Sequence, residues 1–213
     1  MMPFQAPVKF RRRLPITRVV VTLIALNVLG FLVEVVAGGS TNIYTLHRLG
    51  ALEPVFVVGR GEYWRLLTAL FLHYGILHLA LNVFALFVVG PPLELAVGRL
   101  RFIVCYLTAG VGSSAGVVIL HLLKIIDADQ LVGASGSIMG IVGAWAAFLV
   151  RHRRAPLAAQ RLWNVFVIVL MQMGFDLVTP QVSSAAHLCG LFSGFVIGFI
   201  VAPRQIFVAQ EPI

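Results

Sequence analysis

The chain has 213 residues, of which 60% are apolar and only 11% charged. Ordinary globular proteins carry roughly a quarter charged residues, so this composition argues against a water-soluble fold. The net charge of +8 would suit a nucleic-acid partner, but on an apolar chain it is first tested against membrane topology.

Four stretches, Leu66–Leu93, Phe102–Leu123, Leu131–Val150 and Leu177–Pro203, contain no Asp, Glu, Lys or Arg. A run of about 20 such residues crosses a bilayer core as a helix. The expected architecture is therefore an all-α membrane protein, one domain over residues 1–213. After a basic tail (1–18) with Lys9, Arg11, Arg12 and Arg13, the first span runs from about Val19 to Ala37, interrupted only by Glu34. It is too long for a signal-peptide core and is read as retained. An outer loop over about 38–65 leads to a second helix, from Leu66 to a stop at Pro91–Pro92. Helices over about 100–124, 133–150, 161–178 and 185–202 complete six spans within a core of 19–203, followed by a short tail, 204–213.

With both termini cytoplasmic, twelve of the sixteen basic residues fall inside and only Arg48, Arg60, Arg65 and Lys124 outside. This is the positive-inside bias, and it accounts for the net charge without nucleic acid. Cys105 and Cys189 lie in apolar runs and are read as buried, inert thiols.

Ionisable or nucleophilic groups inside spans cost free energy and are functional candidates. His78 and Asn82, four apart, share one helical face; His73, about 140° away on an ideal helix, should not. Such a pair serves either interhelical hydrogen bonding or catalysis, and spacing alone leaves both open. Ser135 follows a polar stretch, Asp127–Gln130, and so sits near a helix N-terminus, where free N–H groups and the dipole favour a developing oxyanion. His187 opens the last span at a matching depth, and a neutral imidazole in reach of Ser135 would make a nucleophile–base unit. Gly136, Gly140 and Gly143 are read as sites of close helix packing.

Taken in order, Glu62-Tyr63-Trp64-Arg65, the H-x4-H-x3-N set of His73, His78 and Asn82, the Gly90/Glu94 pair, Gly133-Ala134-Ser135-Gly136, and Ala186-His187-Leu188-Cys189-Gly190 continuing to Gly194 resemble the rhomboid family of intramembrane serine proteases. The resemblance implies a six-helix rhomboid-like bundle with a Ser135–His187 dyad lacking a third acid. It implies His78, Asn82 and the Ser135 N–H as oxyanion donors. Gly190 and Gly194 would bring the sixth helix close to the fourth, Trp64 and Arg65 would shape the outer loop, and Glu94 and His73 would be structural. Gly133 and Gly136 belong to the nucleophile motif. Where relatives often carry an aromatic that stacks on the catalytic histidine, this chain has Met139, whose flexible thioether fixes the ring plane less firmly.

The implied partners are transmembrane protein substrates and membrane lipids, with no cofactor, no metal and no nucleic acid; the oligomeric state is left open. No H-E-x-x-H zinc motif is present, and paired-aspartate chemistry has no second partner for Asp176. The rival reading is a catalytically silent rhomboid-like protein that binds membrane clients. With no long targeting extension and fourteen Arg against two Lys, the expected setting is a bacterial cytoplasmic membrane, with the site opening to the outer side.

Overall fold

The computed structural model describes residues 16–179 and 183–203; most of the basic tail, including Lys9 and Arg11–Arg13, and the tail from Arg204 lie outside them. The described residues are mostly helical: α1 (Arg18–Val36), α2 (Ile43–Leu49), α3 (Pro54–Arg60), α4 (Arg65–Thr68) with a 3-10 turn at Ala69–Phe71, α5 (Gly75–Val97), α6 (Arg99–Leu122), α7 (Ser135–Arg151), α8 (Ala158–Val178) and α9 (Ser184–Val201). Five of them, α1, α5, α6, α8 and α9, are long and apolar enough to cross a membrane. The remaining expected span, α7, has 17 residues, about 25 Å at 1.5 Å per residue, against a hydrocarbon core of about 30 Å.

The short helix is the centre of the molecule. α7 packs most extensively on α9, which also packs on α6, and small residues let the backbones meet. A side chain at Gly190 would run into the Gly136 carbonyl, one at Gly194 into the Gly140 carbonyl, and one at Gly143 into the Leu191 carbonyl. This is the small-residue packing that membrane helices use where lipid removes the hydrophobic drive to associate. By contrast α8 buries little of its length and exposes Trp163, Leu170, Met171 and Leu177, as a lipid-facing helix would.

The second span differs from expectation at both ends. It begins at Gly75, not Leu66, because residues 66–74 form α4, the 3-10 turn and an extended step at Leu72 (φ −95°, ψ 151°). Ala69, Leu70 and Leu72 are buried within the protein, and burial by protein demands the same apolar residues as burial by lipid. At its other end the helix continues through Pro91–Pro92 to Val97. Two proline N–H groups are missing from the ladder, but Gly90, Pro91, Leu93, Glu94 and Val97 are all buried, so packing holds the last turns. Glu94 adds a tie: its carboxylate accepts the N–H groups of Val19 (3.2 Å) and Val20 (3.0 Å), capping α1 where Thr17 supplies no side-chain cap.

The loop expected on the outer side is also more ordered than its composition suggested. Asn42 caps α2 by accepting from Tyr44 and Thr45, and Gly50 closes it in the left-handed conformation; Pro54 opens α3 and Gly61 ends it. Buried Arg65 fastens these pieces, donating to the carbonyls of His47 and Ala51 (both 2.9 Å) and to Glu62 (2.6 Å). Exposed Trp64 lies under its guanidinium, 4.8 Å from ring centroid to Cζ. Cys105 is buried, whereas Cys189, expected to be buried, is only partly so, although it packs on Gly116 at the α6–α9 contact.

Candidate active site

Ser135 is the first residue of α7. The first bond of that helix runs from the Ile138 N–H to the Ala134 carbonyl, so the Ser135, Gly136 and Ser137 N–H groups are those a helix start leaves without intrahelical partners. The preceding chain is pinned from two directions. Leu131 and Leu52 exchange backbone hydrogen bonds of 2.9 Å each way, and the Gly133 N–H donates to the Ala69 carbonyl at 2.9 Å. Gly133 takes φ +130°, a region L side chains rarely enter.

Ser135, His187, His78, Asn82, Gly133 and Met139 line one cleft of about 580 Å³. They come from α5, α7, α9 and the loop before α7. Ser137 instead is buried against Gly110 of α6. The His78 ring borders Gly133, and its Nδ1 accepts the Tyr74 N–H at 3.3 Å. A neutral imidazole that accepts at Nδ1 carries its proton on Nε2, the atom beside Gly133. Asn82 donates one amide N–H to the His78 carbonyl (2.8 Å), which leaves a second amide proton for the cleft.

His73 behaves differently from the helical-wheel expectation. It precedes α5 instead of lying on it, so the 140° argument does not apply, and its ring meets the His78 ring edge-on with centroids 5.4 Å apart. The His73 N–H donates to Glu34 Oε1 of α1 at 2.9 Å, and both residues are fully buried.

His187 has a partner that the motif reading did not supply. Its Nδ1 lies 2.8 Å from Asp176 Oδ2 and 3.0 Å from Oδ1, and the side chains are 2% and 0% exposed. Gln172, one turn earlier on α8, donates to Asp176 Oδ1 at 2.8 Å. The available signal was that Asp176 is the lone acid of its apolar segment, which marks it as a functional candidate; no spacing rule links it to a histidine on the next helix.

The family model for the Rhomboid domain matches residues 60–204, which include all of these cleft residues. The chain is 38% identical over 173 residues to Rhomboid protease GluP of Bacillus subtilis (strain 168), covering 81% of this chain and 32% of that protein. It is 38% identical over 160 residues to RHOMBOID-like protein 6, mitochondrial, of Arabidopsis thaliana, covering 74% and 50%. With Putative rhomboid protease YdcA of Bacillus subtilis (strain 168) it shares 29% over 148 residues, covering 70% and 72%. The chain thus spans about a third to a half of the first two relatives. On the strength of the domain match and these identities, the chain belongs to the rhomboid family.

Proposed function

We propose that this protein is an intramembrane serine endopeptidase that hydrolyses a peptide bond in or near the transmembrane segment of other membrane proteins. The observation that carries the reading is that Ser135, His187, His78 and Asn82 line a single cleft, although they come from separate parts of the chain. Support also comes from the cleft's apolar flank. Leu77 and Leu81 of α5 and Phe175 of α8 line it and remain exposed, a surface suited to a hydrophobic segment arriving from lipid.

In this mechanism Ser135 Oγ attacks the scissile carbonyl carbon while its proton passes to His187 Nε2. The carbonyl electron pair moves onto oxygen, where the His78 Nε2–H, the free Asn82 N–H and the Ser135 backbone N–H hold it. Collapse of the intermediate breaks the C–N bond, and His187 returns the proton to the leaving amine. Water, activated by the same imidazole, then releases the acyl group. A substrate helix must unwind locally to present its carbonyl, so residues of low helix propensity near the cleavage site are favoured. We assign the cleft to the outer side from the positive-inside count, and the similarity to Rhomboid protease GluP of Bacillus subtilis (strain 168) supports a bacterial cytoplasmic membrane as its setting.

The test is labelling with a fluorophosphonate together with cleavage of a panel of single-span membrane proteins. Wild type and Ser137→Ala should label and cleave; Ser135→Ala and His187→Ala should not. Client binding without labelling or cleavage by the wild type would instead establish the silent, client-binding alternative.

A further inference from the structure

We infer that Asp176 is a positioning residue for His187, so that the reactive unit is Ser135–His187–Asp176 and not a bare dyad. The inference rests on the protease reading and deepens it. Both carboxylate oxygens of Asp176 face one ring nitrogen, Nδ1, at 2.8 and 3.0 Å. The carboxylate also accepts from the Gln172 amide at 2.8 Å, whose Nε2 lies beside the contact, 3.3 Å from Nδ1. A carboxylate acceptor at Nδ1 selects the tautomer with the proton on Nδ1 and leaves the Nε2 lone pair free. Nε2 is the atom that must take the Ser135 proton. When it does, the ring becomes an imidazolium beside an anion that is already oriented, and Asp176 stays ionised throughout.

This arrangement also bears on Met139. A flat aromatic beside His187 would fix the ring plane by stacking, and a thioether does so less well. A carboxylate bound at Nδ1 restrains the ring from its edge instead. Because Asp176 and Gln172 lie on α8 while His187 lies on α9, the orientation of the imidazole depends on the seating of the largely lipid-exposed α8.

The experiment compares wild type, Asp176→Asn, Asp176→Glu and Ser135→Ala in detergent or nanodiscs, by steady-state cleavage and by 15N NMR of the histidine rings. The His187 signals are assigned by their loss in His187→Gln. Asp176→Asn keeps the shape but removes the charge, and it should lower kcat by about 100-fold or more with KM changed less than about twofold. Asp176→Glu should recover part of the loss. In the wild type, His187 should carry its proton on Nδ1, and that signature should weaken in Asp176→Asn. Wild-type kcat in Asp176→Asn, or a His187 ring protonated on Nε2 in the wild type, would overturn the assignment. If the wild type itself neither cleaves nor labels, the protease reading fails, while the His187 signal still decides whether Asp176 sets the tautomer.

Discussion

The His78 imidazole occupies the space that any side chain at Gly133 would need: a Cβ there would lie 2.8 Å from its Cε1 and 2.9 Å from its Nε2. The glycine two residues before Ser135 therefore does two things. It takes the φ of +130° that turns the chain into α7, and it admits the ring whose Nε2–H faces the cleft. Gly133→Ala should lower kcat at least tenfold by pushing His78 aside, and the strained backbone should cost about 1–3 kcal/mol of stability. Cleavage rates with a parallel melting curve check this; an alanine variant with wild-type kcat would show that His78 does not need its present position.

Asn82 spends one amide proton on the His78 carbonyl and keeps the other for the cleft. Loss of one oxyanion donor typically removes about 2.7–4 kcal/mol of transition-state stabilisation. Asn82→Ala should accordingly lower kcat by roughly 10²–10³ with little change in KM, because the interaction exists only once the oxyanion forms. Steady-state kinetics on one substrate decide the matter, and an effect confined to KM would assign Asn82 to substrate docking.

Much of the candidate cleft was legible in the sequence because its lining residues sit in short motifs whose spacing survives folding. His78 and Asn82 share a face of α5, Ser135 starts a helix, and Gly190 and Gly194 touch the backbone of α7, as four-residue spacing of small residues implies. What escaped is physically distinct in each case. Ala69, Leu70 and Leu72 are apolar because protein buries them, and a hydropathy reading cannot tell that from lipid. His73 lies just before α5, so its nearness to His78 follows from the turn at Tyr74–Gly75, not from helical geometry. Asp176 meets His187 across two helices, a pairing decided by how α8 and α9 pack.

Glu94 binds two N–H groups at the start of α1 from the far end of α5, a pairing 75 and 74 residues apart in the chain. The carboxylate is buried and replaces the absent side-chain cap, so Glu94→Ala leaves two buried donors without partners. A loss of about 1–3 kcal/mol is expected. Because α1 contributes none of the proposed catalytic groups, kcat at a temperature where the variant is folded should stay within about threefold of wild type. Thermal unfolding in detergent and cleavage at low temperature separate the two readouts; a variant as stable as wild type but slow would mean that α1 is coupled to the cleft.

Met139 follows Ser135 by one turn of α7, lines the cleft and is only 3% exposed. Sequence reasoning alone suggests that an aromatic here would sharpen the orientation of His187. With Asp176 at Nδ1 the ring is already held from its edge, so Met139→Phe should give little gain in rate, and the larger ring must fit a buried position at a cost of about 1–3 kcal/mol. Met139→Ala opens a void and should destabilise by about 2–5 kcal/mol, while kcat falls only modestly as long as Asp176 remains. Both residues are proposed to restrain one imidazole, so their loss should not be additive. Combined with Asp176→Asn, Met139→Ala should depress kcat by more than the product of the single effects, an interaction above about 0.5 kcal/mol. Initial rates of the four members of that cycle on one substrate provide the check. Strict additivity would mean that Met139 and Asp176 do not act on the same ring.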